Sequence, residues 1–121
     1  MKILIIDDEP AVLKMYSIAL KDAGHEVITA SNGTDGLDQA ASFKPDIILL
    51  DIIMPSMNGF DVLADLKRNP ETQAIPVILI TNLPETTSGE KARGLGAADY
   101  LVKAEVEPKE LTRLIEQHLK K

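Results

Sequence analysis

The sequence predicts an α/β fold, a five-stranded parallel sheet with helices on both faces. Short apolar runs recur at fairly regular spacing, and a helix-like amphipathic stretch follows each. The runs at residues 3–6, 47–50 and 77–80 are continuous rather than alternating, as in strands covered on both faces. Alternation of strand and helix in one chain favours parallel pairing with right-handed crossovers.

Each element has its own signal. The run at residues 3–6 is the first strand. Leu13, Tyr16 and Leu20 then fall on one helical face, and Gly24 stops that helix as a C′ residue. The second strand, residues 27–30, is milder in hydrophobicity and suits a sheet edge. Leu37, Ala40 and Ala41 mark the second helix; Leu63 and Leu66 mark the third, beginning after Asn58-Gly59. Residues 47–50 and 77–80 supply the third and fourth strands. The fourth helix is the weakest, because Thr86-Thr87-Ser88-Gly89 are poor helix formers; it should be the most easily remodelled. Residues 100–102 make the fifth strand. Pro108 suits the first turn of the last helix, where Leu111, Leu114, Ile115 and His118 repeat at i, i+3, i+4, i+7. Lys120 and Lys121 are expected to end it.

Composition narrows the function. A chain of 121 residues suits one compact domain, expected to fill positions 1–121, and no repeat or linker divides it. Hydrophobic residues at 45% and charged residues at 26% are an ordinary globular balance. The absence of cysteine excludes disulfides, thiol catalysis and thiolate metal sites. With 13 basic against 19 acidic residues the formal charge is -6, so a nucleic acid would be repelled on average and direct binding to one is not expected. The apolar run at residues 3–6 is too short for a signal segment or a membrane span. Asn32-Gly33-Thr34 matches a glycosylation sequon but reads as a turn. The expected location is the cytoplasm, without membrane insertion.

The chemistry collects where the strands end. Asp7, Asp8 and Glu9 follow the first strand, Asp51 the third, Thr81 the fourth and Lys103 the fifth. In open parallel sheets the functional crevice lies beyond the carboxyl ends of the strands, at the topological switch point. Spacing alone does not fix strand order. In the order 2-1-3-4-5, strands one and three are neighbours, and Asp7, Asp8 and Asp51 converge. Carboxylates packed that closely must take up a proton or bind a cation. Oxygen ligands without a nearby histidine favour Mg2+, with Mn2+ or Ca2+ as substitutes, over zinc. Taken singly, each residue has a plainer reading. Asp8 or Glu9 could cap the first helix, Asp51 a turn; Thr81 could be an ordinary strand residue and Lys103 a solvated charge. Four strand ends carrying acid, acid, hydroxyl and amine together are hard to reach by accident.

The set Asp7-Asp8-Glu9, Asp51 with Met54-Pro55 and Asn58-Gly59, then Thr81, Tyr100 and Lys103 resembles the response-regulator receiver domain of two-component systems. The likeness spans essentially the whole chain, and the Asp-x-x-Met-Pro-x-Met-x-Gly run over residues 51–59 is its most specific part. The resemblance implies a flavodoxin-like (βα)5 doubly wound sandwich of order 2-1-3-4-5. It implies that Asp51 accepts a phosphoryl group from a sensor histidine kinase or phosphotransfer protein. Mg2+ would be held by Asp8, Asp51 and the Ile53 carbonyl, with Asp7 acting through water. Thr81 and Lys103 would bind phosphoryl oxygens. Thr81 and Tyr100 would act as the switch, altering the surface of the fourth helix, fifth strand and fifth helix for an unidentified protein effector. Such a domain is not an enzyme acting on other substrates; it assists only its own phosphorylation and dephosphorylation. It would be a monomer or a phosphorylation-dependent dimer.

The chain departs from the family pattern at two positions. Ala104 stands where proline usually follows the lysine, at a junction commonly cis. A cis bond before a non-proline residue costs about 3–4 kcal/mol, and a cis Lys103–Ala104 bond is nevertheless the expectation. Asn82 stands where a small residue is usual, which would narrow access to Asp51. Ile53 and Leu83 carry no group to position an attacking water, so self-dephosphorylation is expected to be slow. His25 and His118 are expected to be structural or neutral. Three other readings compete with that of a receiver domain. An aspartyl-nucleophile phosphohydrolase usually carries Asp-x-Asp, and Ile53 occupies the second place. A receiver-like adaptor binding without phosphorylation is opposed by the complete acidic set, although Ala104 and Asn82 keep it open. A nucleotide-binding enzyme is weaker still, because the first turn lacks the glycines of a pyrophosphate cradle.

Overall fold

The computed structural model describes residues 1–55 and 57–119. Five strands, β1 (Lys2–Ile6), β2 (Glu26–Ala30), β3 (Ile47–Leu50), β4 (Val77–Thr81) and β5 (Asp99–Val102), alternate with five helices. The helices are α1 (Pro10–Asp22), α2 (Gly33–Phe43), α3 (Gly59–Arg68), α4 (Glu85–Gly94) and α5 (Pro108–Leu119). All strand pairs are parallel, in the order β2-β1-β3-β4-β5. That is the flavodoxin-like doubly wound sandwich expected. Lys120 and Lys121 lie outside the described residues.

Strand residues alternate between two cores because successive side chains point to opposite faces. Leu4, Ile6, Ile48, Leu50, Val77 and Leu79 pack with Ala40 of α2, Val62, Leu63 and Leu66 of α3, and Ala92 of α4. Ile3, Ile5, Ile47, Leu49, Ile78 and Ile80 pack with Tyr16 and Leu20 of α1 and Leu111 and Ile115 of α5. β3 and β4 are buried throughout, whereas β2, at one edge, is only half-buried. Each fully buried Leu or Ile contributes roughly 1.5–3 kcal/mol relative to exposure, which explains why the runs read as continuous rather than alternating.

Local chemistry sets the helix ends. Gly24 follows the α1 C-cap at φ 94, left-handed backbone that suits glycine. The Asn32 side chain accepts from the Asp35 amide at 2.8 Å, so the sequon read as a turn is the N-cap of α2. Asn58 caps α3 in the same way, accepting from the Asp61 amide at 3.1 Å. α4 begins after Pro84 with no side-chain cap and buries only Ser88, Gly89 and Ala92. Both histidines hold α5, one from the turn before β2 and one by reaching Asp99 of β5. His25 Nε2 lies 3.1 Å from Glu116 Oε2, and His118 Nε2 lies 3.2 Å from Asp99 Oδ2.

One expectation is overturned. There is no cis peptide bond among the described residues, so Lys103–Ala104 is trans. Alanine gives a secondary amide, which keeps the full preference for trans that a proline would weaken. The chain turns instead through a short 3-10 segment, Lys103–Glu105.

Candidate functional site

β1 and β3 are hydrogen-bonded neighbours, with Ile6 opposite Leu50, so the residues that follow them meet. The Asp51 amide donates to the Ile6 carbonyl at 3.0 Å and the Asp7 amide to the Ala30 carbonyl at 3.1 Å. These bonds fix the backbone from which both carboxylates project. One carboxylate oxygen from each of Asp7, Asp8 and Asp51 lies within 4.8 Å of the others. Asp7 and Asp51 are buried, and Asp8 is half-buried at the mouth.

Lys103 reaches the same point from the end of β5. Its Nζ lies 2.7 Å from Asp7 Oδ2, 3.3 Å from Asp51 Oδ2 and 3.2 Å from Glu9 Oε1. The trans junction at Ala104 therefore leaves the lysine at the acidic cluster. Burial alone would lower the Lys103 pKa, but the close contact with Asp7 and the charges of Asp51, Asp7 and Glu9 outweigh it, and the ammonium is held firmly protonated. Asp51 is shifted the other way, its pKa raised by burial and then by the charge of Asp7, against the opposing pull of Lys103.

Gly59 closes the floor. Its amide donates to the Ile52 carbonyl at 2.7 Å. A Cβ built there would stand 2.2 Å from the Asp51 carbonyl oxygen and 2.6 Å from Ile52 Cα. Only glycine lets α3 start this close to the loop that carries Asp51. The Ile53 amide points to Asp51 Oδ1 at 3.4 Å, while its side chain is exposed.

Thr81 ends β4 and is fully buried, with the Leu83 amide 3.4 Å from its Oγ1. Tyr100 is buried, and its hydroxyl donates to the Leu83 carbonyl at 2.8 Å. Leu83, two residues beyond Thr81, thus touches both residues expected to switch, Thr81 through its amide and Tyr100 through its carbonyl. Asn82 is exposed.

Asp7, Asp8, Asp51 and Lys103 are therefore brought together, and Thr81 and Tyr100 share the Leu83 segment beside them. Two features were not read from sequence. Glu9 stands in the sequence among the strand-end acids and as a candidate helix cap, with no partner named; its side chain makes no capping bond and turns to Lys103. Gly59 was read as a helix start, and its steric role against Asp51 was not. The Asp7-Asp8-Glu9 run hinted at the first; only the fold discloses the second.

The three acids suit a hard divalent cation. Asp7 Oδ2 is buried and, although 2.7 Å from the ammonium, accepts no hydrogen bond of ordinary geometry. A buried carboxylate oxygen left in that state is a ready ligand.

This arrangement agrees with the comparisons. The response regulator receiver domain family matches residues 3–116. The chain belongs to that family. Among relatives of this receiver, the protein PilH of Pseudomonas aeruginosa is 42% identical over 102 residues, covering 84% of each chain. The response regulator PleD of Caulobacter vibrioides is 44% identical over 104 residues, 84% of this receiver but 22% of that protein. The chain likewise spans 42% of the DNA-binding regulator RpaA of Synechocystis. Among solved structures, the chemotaxis protein CheY4 of Vibrio cholerae superposes with a TM-score of 0.89 at 29% identity, over 96% of both chains. The BeF3-activated receiver domain of Klebsiella pneumoniae RstA gives 0.91 at 27% identity, over 100% of both. The receiver is thus a regulatory domain of two-component signalling, and none of its described helices is long and apolar enough to cross a membrane.

Proposed function

We propose that the receiver accepts a phosphoryl group on Asp51 from a sensor histidine kinase or phosphotransfer protein, and that positions 1–121 form one such module. The observation that carries this reading is the meeting of the Asp7, Asp8 and Asp51 carboxylates with Lys103 Nζ 3.3 Å from Asp51 Oδ2. An Asp51 carboxylate oxygen attacks the phosphorus of a phosphohistidine. The new O–P bond forms as the N–P bond breaks, and the electron pair returns to the donor imidazole.

Asp8 and Asp51, with the Ile53 carbonyl, would hold Mg2+, Asp7 acting through water; Mn2+ or Ca2+ could substitute. The cation would neutralise phosphoryl charge and hold oxygens in place. Lys103 supplies a second positive charge, and Thr81 a hydroxyl for a third oxygen. Because phosphoryl transfer asks for positioning more than covalent assistance, no further catalytic group is required.

Switching would follow from the Leu83 peptide segment, whose amide donates to Thr81 and whose carbonyl accepts from Tyr100. Movement of Thr81 toward a bound phosphoryl group would shift the segment that Tyr100 grips, and with it the face of α4, β5 and α5. The poor helix formers and missing cap of α4 support its being the part that yields. That face would contact a protein effector in the cytoplasm rather than nucleic acid, and a dimer through it would depend on phosphorylation. Ile53 and Leu83 offer no group to orient water, so the acyl phosphate is expected to be long-lived. A half-life of seconds would contradict that.

The test is incubation with acetyl phosphate plus Mg2+, comparing the wild type with Asp51→Asn by intact mass. One acid-labile adduct per chain is expected, absent from the variant. Multiple turnovers of a substrate would instead mark a phosphohydrolase, and no adduct with any donor, kinase included, would mark a phosphorylation-independent adaptor.

A further inference from the structure

An ammonium group has three N–H donors, and three carboxylates surround that of Lys103, at 2.7 Å (Asp7), 3.2 Å (Glu9) and 3.3 Å (Asp51). Of the three, Glu9 and Asp51 accept from it in hydrogen-bond geometry, and a phosphoryl oxygen arriving on Asp51 must compete with them for the ammonium. The three carboxylates are not equivalent competitors. Side-chain exposure is 2% for Asp7 and 4% for Asp51, but 57% for Glu9. Asp7 and Asp51 cannot leave without unfolding their loops; Glu9 can swing into water.

Among the described residues, no group other than Lys103 bonds the Glu9 carboxylate. Glu9 is the N-cap residue of α1, yet the helix receives no side-chain cap from it. Its backbone amide is satisfied separately, donating to Asp7 Oδ1 at 2.9 Å.

We propose that Glu9 is a positioning residue that restrains Lys103 in the unphosphorylated receiver and slows phosphoryl transfer from small anionic donors. The inference rests on Asp51 being the acceptor. Two effects act in the same direction. The carboxylate fills the Lys103 donor that a phosphoryl oxygen needs, and its negative charge at the mouth of the site opposes an anionic phosphodonor. Displacing Glu9 toward solvent then accompanies phosphorylation and frees the lysine.

The test uses the full chain with Mg2+ and acetyl phosphate. Labelling rates are measured across donor concentration for the wild type, Glu9→Gln, Glu9→Ala, Asp51→Asn and Glu26→Gln. Glu26 starts β2 at the opposite end of the sheet, so its variant removes the same formal charge far from the site. Glu9→Gln and Glu9→Ala are expected to label roughly threefold to tenfold faster at low salt. The advantage should shrink, without vanishing, as salt screens the repulsion but not the short-range competition. Glu26→Gln should match the wild type. Thermal midpoints of both Glu9 variants should stay near the wild-type value, since no cap is lost.

Glu9 variants no faster than wild type, or slower, overturn the proposal. So does acceleration by glutamine but not alanine, or equal acceleration by Glu26→Gln. A wild type that takes no label sinks the acceptor reading and this proposal with it. Label that depends on Asp51 but ignores Glu9 sinks this proposal alone.

Discussion

The two ends of the sheet follow opposite rules. At the carboxyl end, Asp7, Asp51 and Thr81 are buried, a carboxylate oxygen of Asp7 lacks an aligned hydrogen bond, and Lys103 is shared among three acids. At the amino end, the polar contacts are exposed and simple: the Lys2 amide donates to Asp46 Oδ2 at 2.8 Å, and the Asp46 amide donates back to the Lys2 carbonyl at 2.8 Å. Both ends are capped by the same two hydrophobic layers. The difference teaches that stability is carried by the middle and amino end, while the carboxyl end holds like charges together for a ligand to relieve.

The largest test of this contrast is Gly59→Ala. The added methyl would lie 2.2 Å from the Asp51 carbonyl oxygen, a backbone atom that cannot swing aside. A loss of about 3 kcal/mol is expected, roughly a 10 °C drop in Tm, with weakened cation binding because the Asp51 loop must shift. Thermal unfolding and a Mg2+ titration check both parts. A neutral substitution would mean that α3 is not pressed against the site.

How much of this was legible beforehand depended on how local each signal is. The continuous apolar runs disclosed the strands because covering both faces leaves no polar alternation to hide them. Strand ends likewise exposed Asp7, Asp51, Thr81 and Lys103 as one set. Strand order had to be assumed, since nothing in the spacing says that β3 rather than β2 begins the other half of the sheet. The Lys103–Ala104 bond was misjudged because the expectation followed a proline the chain does not have. The pairing of Glu9 with Lys103 escaped because the two lie 94 positions apart, and no local pattern couples them.

A smaller and opposite effect is expected from Asp51→Asn in the metal-free protein. The Asp51 pKa is raised by burial and by Asp7, so the folded state holds its proton more tightly than the unfolded chain. The charged form therefore costs stability above the raised folded pKa, and that cost disappears as pH falls below the unfolded value. The amide should stabilise the fold by about 1–2 kcal/mol at neutral pH, and the gain should fade on acidification through the carboxylate range. Mg2+ should stabilise the wild type and not the variant, narrowing the difference. A destabilised variant at neutral pH would show that the Lys103 pairing outweighs the repulsion.

The smallest effect belongs to the amino end. Asp46→Ala removes one exposed hydrogen bond to the Lys2 amide and leaves the backbone bond in the other direction intact. A loss of about 0.5–1 kcal/mol is expected. What gives this variant its use is independence from the site. Asp46 lies before β3 and Asp51 after it, with four buried apolar residues between, so the two perturbations share no partner and should add. The cost of Asp46→Ala should therefore be the same with and without Mg2+, and the same in the Asp51→Asn background. Denaturant midpoints of the wild type, both single variants and the double variant, each with and without Mg2+, decide it. A cost that changed with the cation would mean that charge at the carboxyl end is felt through the sheet, and the division between the two ends would fail.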